Sequence, residues 1–309
     1  MAGPIEAKKD VRDFFSKKAG PLFSERGFVV TLAVRWELAK LFFNLMFRSN
    51  RSRSFIDQES KASILSFIMK KKFGAYATND GVMLYGHEVV PSRGDFWGLR
   101  FLLNEIIIQD QYHVAELLKK NDIVIDVGAN IGLFSIQGAE YAPEATFYAL
   151  EPSDDAFVAL ERNAAPYRNI TCVKSALGEQ QGSRRMTHVA GAMASSLLED
   201  SPFVSRYSKN VLHSQETVPV VTLDEFVAQK KLPRVDFIKI DTEGYERFVL
   251  RGARETIRRY KPIIVMSAYH NADDKTVLPA IIKDVAPEYI IELHGTIEQD
   301  FICRPRPSF

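Results

Sequence analysis

The 309 residues exceed one minimal domain and suit a large α/β domain with an appendage. Hydrophobic residues at 46% and charged residues at 26% are ordinary for globular chains, which excludes a collagen-like, coiled-coil or fully disordered polymer. With 40 Lys+Arg against 39 Asp+Glu the net charge is +1, so no global basic field points to nucleic acid.

The two cysteines, Cys172 and Cys303, stand far apart in no CxxC or Cys/His spacing, so a reducing cytosol is expected rather than a disulfide framework or a cysteine-rich zinc site. Residues 1–55 hold eleven Lys/Arg and five Asp/Glu. That asymmetry suits an anionic surface partner, and equally a solvated basic helix. No secretory signal and no charge-free run of 18 residues is present, so neither export nor a membrane span is expected.

In chain order, residues 1–72 read as a helical N-terminal extension. Leu32, Trp36, Ala39, Phe43 and Phe47 form an apolar stripe, with Arg48, Arg51 and Arg53 following it. Such a helix can lie in a membrane surface through residues 28–53, pack on the main domain, or cover itself in a homodimer. Residues 73–95 read as a β-hairpin and linker, with Asn79-Asp80-Gly81 as the turn. Residues 96–120 read as two helical pieces.

From Asp122 strands and helices alternate. Strands are expected at 123–126, 146–150, 170–174, 235–240 and 263–266, with helices at 131–141, 154–165, 243–260 and 276–285, then late strands at 289–293 and 299–303. Repeated strand–helix units imply an α/β fold with a mostly parallel sheet and helices on both faces. Gly178 to Thr217, rich in Gly, Pro and Ser, interrupts the rhythm and reads as an irregular, lid-like insert on the substrate side.

Three constellations carry chemistry. The first is Asp126-Val-Gly128-Ala-Asn130-Ile-Gly132, between a strand and a helix. Its glycines let backbone approach a ligand at the switch point of the sheet. The spacing is not GxGxxG, and the acid before the first glycine suits a cationic ligand better than a diphosphate, which disfavours an NAD-linked oxidoreductase. Glu151, ending the next strand, is placed to accept both hydroxyls of a ribose.

The second constellation is Lys239-Ile-Asp241-Thr-Glu243-Gly244-Tyr-Glu246. Strand alternation puts Lys239 and Asp241 on one side, with Asp241 at the carboxyl end, where open α/β sheets build their sites. Glu243 and Glu246 are expected in the first helical turn, where the helix dipole favours acids. Asp241 with Glu243 can hold a divalent ion, although no spacing demands one. The third is Ser267-Ala-Tyr269-His270-Asn271, in which His270 has the ordinary pKa of a general base toward a hydroxyl.

Together these motifs resemble the FkbM family of class I S-adenosylmethionine-dependent methyltransferases. The matching residues are Val124-Ile-Asp-Val-Gly-Ala-Asn-Ile-Gly132, Glu151-Pro152, Ser175-Ala-Leu-Gly178, and Asp236 to Gly244 with Val249 to Ala253. They cover about residues 100–305, so the resemblance implies a methyltransferase domain over 96–309, with a Rossmann-like sheet whose last strand is antiparallel. It further implies that Asp126, Gly128, Asn130 and Gly132 line the methionine portion of S-adenosylmethionine. Glu151 would hold the ribose, and Ser175, Ala176 and Leu177 would border the adenine. Asp241, His270 and Lys239 are then the catalytic candidates.

The implied reaction is O-methylation of a hydroxyl on a sugar, glycolipid or secondary metabolite. N-methylation, and a silent cofactor-binding protein tethered through residues 1–72, are the alternatives. A nucleic-acid substrate is disfavoured, since Asp241-Thr-Glu-Gly stands where base-methylating enzymes carry a Pro-Pro-aromatic element. The expected location is cytoplasmic, with peripheral membrane contact through 28–53 as its variant.

Overall fold

The structure is a computed structural model that describes residues 75–189, 195–197, 213–295 and 299–306. The chain divides into two units, residues 1–77 with 83–86, and residues 78–82 with 87–309. The helical extension at 1–72, and with it the membrane and dimer expectations tied to 28–53, lies outside the described residues. Among the described residues no helix is long and apolar enough to cross a membrane.

Strands β1 (Tyr76–Ala77) and β2 (Val82–Leu84) flank the expected turn. The turn is closed by Thr78 N–H donating to the Gly81 carbonyl (3.0 Å) and Gly81 N–H donating to Thr78 Oγ1 (2.9 Å). After β3 (His87–Val89), helix α1 (Phe96–Leu102) begins where Asp95 accepts from Gly98 N–H. It runs into a π-helical stretch, Leu103–Ile108, and α2 (Val114–Leu117) follows.

The alternation then unfolds as β4 (Ile123–Val127), α3 (Leu133–Tyr141), β5 (Thr146–Leu150), α4 (Asp154–Ala164) and β6 (Ile170–Val173). Next come β7 (Ala176–Leu177), β8 (Gly182–Val189), β9 (Ser195–Ser196), β10 (His213–Val221) and α5 (Leu223–Gln229). The chain continues through β11 (Phe237–Ile240), α6 (Glu246–Arg251), α7 (Arg254–Tyr260) and β12 (Ile263–Ser267). It ends with α8 (Asp274–Val285), β13 (Tyr289–His294) and β14 (Asp300–Pro305).

The main sheet has the order β13-β14-β12-β11-β4-β5-β6. Strands β12, β11, β4, β5 and β6 run parallel, and β14 is antiparallel to both its neighbours. This is the mostly parallel, Rossmann-like sheet expected of class I methyltransferases. Alternation divides its residues cleanly. Ile125, Val127, Ile238, Ile240, Ile264 and Met266 pack with Phe226, Val249, Ile257, Leu278 and Ile282 of the helices on one face. On the other face Phe237 stacks on Phe134 of α3, with ring centroids 5.9 Å apart.

Two segments differ from the sequence reading. The insert expected to be irregular over 178–217 is, in its described part, an antiparallel ribbon: β8 and β10 pair over eight registered positions from His213↔Val189 to Val220↔Gly182. Met186, His188, Glu216, Val218 and Val220 keep a period-2 buried or half-buried face, which Gly and Ser content had masked. The helix expected over 243–260 is two helices. At the break a Cβ on Gly252 would stand 2.0 Å from the Gly178 carbonyl oxygen, so only glycine fits there.

Candidate active site

Three carboxylates end three adjacent parallel strands: Asp126 on β4, Glu151 just after β5 and Asp241 just after β11. A cleft opens above them. Its wall includes Gly128, Asn130, Glu151, Ser175, Ala176, Leu177, and further on Lys239, Asp241 and Glu243. Most of the predicted site residues therefore meet at one place, the crevice at the carboxyl ends of the strands.

The glycine turn is tight because it must be. Gly128 has φ +73°, and a Cβ there would stand 1.9 Å from the Asp241 carbonyl oxygen. The first and second constellations thus touch through bare backbone. Asn130 (φ +50°) lets its N–H turn back to Glu151, donating to Oε2 at 2.9 Å, while Ser153 N–H donates to Oε1 at 2.9 Å. Burial pushes the Glu151 carboxyl up to about 7, against the lowering effect of these two N–H groups and of Lys239.

Two predicted residues lie elsewhere than expected. Asp126 is fully buried beneath the cleft floor rather than on its wall. Ser135 Oγ donates to its Oδ2 (2.7 Å), and Lys239 Nζ pairs with Oδ1 (3.1 Å). Gly132, at φ +90°, starts α3 against Leu160. Both shape the turn from behind, because alternation points Asp126 toward the α3 face.

Lys239 also donates to the Gly128 carbonyl (2.7 Å) and sits 5.3 Å from the Tyr112 ring centroid. Its ammonium is therefore engaged by the floor of the site.

After β11 the chain does not enter a helix at once. Glu243 has φ +53° and Gly244 φ +101°, so Glu243 lies in a loop, contrary to the first-turn expectation, and Glu246 alone opens α6. Glu246 Oε1 organises that loop by accepting from Thr242 N–H (2.9 Å), Thr242 Oγ1 (3.2 Å) and Gly244 N–H (3.2 Å). The ribbon is tied on where Ser196 Oγ donates to the Glu243 carbonyl (2.9 Å).

The His270 side chain is tucked behind this loop. Its Nδ1 lies 3.0 Å from Glu246 Oε1, and its Nε2 lies 3.3 Å from Glu243 Oε2 and 3.8 Å from Asp241 Oδ1. Burial alone would lower its pKa, but Glu246, Glu243 and Asp241 overcome this and hold it at about 10. In this arrangement the ring carries a proton at neutral pH, so it is not poised as a base by its ordinary pKa. Burial likewise pushes the Asp241 carboxyl up, but Lys239, His270 and the Tyr112 hydroxyl outweigh it, leaving the group below the usual carboxylate range.

With this geometry in view, comparison with known proteins is decisive. A family model, the Methyltransferase FkbM domain, matches residues 126–301. The chain belongs to the FkbM methyltransferase family. It is 32% identical over 181 residues to the 31-O-demethyl-FK506 methyltransferase FkbM of Streptomyces tacrolimicus, covering 50% of this chain and 69% of that protein. It is 25% identical over 223 residues to the hexuronic acid methyltransferase AglP of Haloferax volcanii, covering 71% of this chain and 84% of that one. The crystal structure of methyltransferase FkbM from Methylobacillus flagellatus KT matches with 20% identity and a TM-score of 0.44, over 67% of this chain and 54% of that chain.

S-adenosylmethionine use is what membership of the FkbM family implies, and the residues fit that cofactor. Gly128 leaves bare backbone beside Asp241, and Glu151 presents a half-screened carboxylate to the same cleft. Sequence reasoning missed Tyr112, whose hydroxyl donates to Asp241 Oδ2 (2.8 Å) from 129 positions upstream, and the role of Glu246 on His270. Nothing local marks Tyr112, since it lies in an irregular stretch between helical pieces. Glu246 had a visible signal, its spacing after Thr242 and Gly244.

Proposed function

We propose that the cleft binds S-adenosylmethionine and that the protein O-methylates a hydroxyl of a sugar, glycolipid or secondary metabolite. The observation that carries this reading is the meeting of Glu151, the Gly128 turn and Asp241 in one crevice. When bound, the cofactor supplies a methyl group on a sulfonium, an already activated leaving group. What remains for the chain is alignment and exclusion of water, worth roughly 7–11 kcal/mol of barrier in well-oriented systems.

Glu151 holds the ribose hydroxyls through the lone pairs that its two backbone N–H donors leave free. Ser175, Ala176 and Leu177 border the adenine, with Met186 and Leu197 of the ribbon closing that side. Asp241 faces the cleft as an ionised carboxylate. It takes the proton released from the acceptor oxygen as the new O–C bond forms. That oxygen is strongly acidic once alkylated, so even a weak base suffices. His270, protonated, keeps Asp241 ionised and in place.

The names of the relatives support an oxygen acceptor: one is a hexuronic acid methyltransferase, and one is a 31-O-demethyl-FK506 methyltransferase. The acceptor in this reading is a small molecule, glycan or lipid rather than a nucleic acid, because Asp241-Thr-Glu-Gly stands where base-methylating enzymes carry a Pro-Pro-aromatic element. The test is equilibrium binding of S-adenosylmethionine followed by mass spectrometry of products from a panel of uronic acids, glycolipids and amines. Binding is expected in the wild type and at least tenfold weaker in Glu151→Ala. Absence of binding overturns the cofactor reading; binding without turnover would leave a silent protein, and a methylated amine would replace the oxygen acceptor.

A further inference from the structure

The imidazole of His270 is surrounded by carboxylates in a way that methyl transfer alone does not require. Asp241, Glu243 and Glu246 all approach it, at 3.8, 3.3 and 3.0 Å. The Glu246 side chain is fully buried there and the His270 side chain is 4% exposed. Carboxylates gathered in a poorly solvated place are costly unless a partner completes them.

A second observation concerns Glu246 itself. Its Oε1 accepts from the Thr242–Gly244 loop and meets His270 Nδ1, but its Oε2 is buried without a hydrogen-bond partner among the described residues. A buried ionised oxygen left bare is rare unless a water or an ion completes it. Ligand atoms from Asp241, Glu246 and His270 lie within 4.8 Å of one another. A common ion with bonds of ~2.0–2.3 Å needs donors roughly 3 to 4.5 Å apart, which sub-ångström shifts of these side chains provide.

We propose that Asp241, Glu246 and His270 form a divalent-cation site beside the cleft, with Glu243 as a neighbouring donor. The donor set, two carboxylates and one imidazole, suits Mn²⁺ or Mg²⁺ among hard ions and also accepts Zn²⁺. The ion would bring two positive charges to the carboxylates that face it. Asp241 lines the cleft and Glu246 holds the loop, so the ion would sit between the acceptor side of the cleft and the α6 loop. The site is independent of which molecule is methylated, and of whether one is.

The experiment uses the full chain stripped with a chelator, without nucleoside or acceptor, and titrates Mn²⁺ by electron paramagnetic resonance. The expected result is saturable binding of one ion per chain. Binding should weaken at least tenfold in Asp241→Asn and in His270→Ala, and remain unchanged in His87→Gln, whose ring packs on Tyr167 far along the chain. Circular dichroism checks that each variant is folded. Should His270→Ala unfold, Asp241→Asn and Glu243→Gln carry the comparison. No saturable Mn²⁺ binding, or binding indifferent to the folded variants, overturns the site. Either result leaves the S-adenosylmethionine reading intact, because that reading is measured by nucleoside binding.

Discussion

Lys239 and Asp126 are register partners across the β11–β4 pair, and their side chains meet at 3.1 Å on the same face of the sheet. The two most chemically distinctive motifs of the chain are thus joined by a buried ion pair at the centre of the sheet, as well as by the Gly128–Asp241 backbone contact. Lys239 acts on the cleft floor, steadying the Gly128 carbonyl and the Asp126 carboxylate together.

Removing one partner should therefore be far worse than removing both. Lys239→Met leaves Asp126 charged and uncompensated, and about 3–5 kcal/mol of stability should be lost in urea denaturation. The double variant Asp126→Leu with Lys239→Met should recover most of that loss. If the single and double variants are equally unstable, the pair is not what the lysine contributes.

Gly128→Ala tests the close approach. The added methyl would have to displace the Asp241 carbonyl, and a left-handed backbone costs a further ~1–2 kcal/mol for an L-residue. We expect the thermal midpoint to fall by several degrees and S-adenosylhomocysteine binding to drop more than tenfold. A folded variant with unchanged affinity would show that the turn does not carry the ligand.

Glu151 predicts opposite pH effects on stability and on binding. Its folded pKa, about 7, lies above the ordinary 4.5 because of burial, so the folded state holds the proton more tightly. Its contribution to stability is therefore greatest below about 4.5 and falls as pH rises to 7, relative to Glu151→Gln. A cationic ligand prefers the ionised form, so affinity for S-adenosylmethionine should increase between pH 6 and 8. Calorimetric titration across that range should find the slope in the wild type and none in Glu151→Gln.

Tyr112→Phe removes the hydroxyl that donates to Asp241 Oδ2. A hydrogen bond to a charged group contributes about 1.5–3 kcal/mol, and the phenol is buried, so both stability and turnover should suffer. If Asp241 is the proton acceptor, kcat should fall more than KM rises. An effect confined to KM would place Tyr112 on the ligand instead.

Much of this was legible in the sequence because it is local. The strand–turn–helix around Asp126 to Gly132 follows from apolar periodicity and glycine spacing, and acids ending strands mark the crevice of an open α/β sheet. The ribbon at β8 and β10 was hidden by serines and glycines, and its register is set by pairing between positions about 30 residues apart. The close approach of Gly252 to the Gly178 carbonyl was hidden too, because the two glycines lie on separate connections of the chain. Tyr112 belongs to the same class.

By itself the sequence determined the strand–helix alternation of the main sheet, the motifs that place the chain in its family, and two carboxylates of the cleft, Glu151 and Asp241. These depend on short-range spacing, which a chain carries wherever it folds. Only the tertiary structure decided what state those groups are in. It put Asp126 under the floor with Lys239, raised Glu151 by burial, and set His270 among three carboxylates that hold its proton. Charge and pKa depend on distance and desolvation, and neither is written in the spacing of residues along a chain.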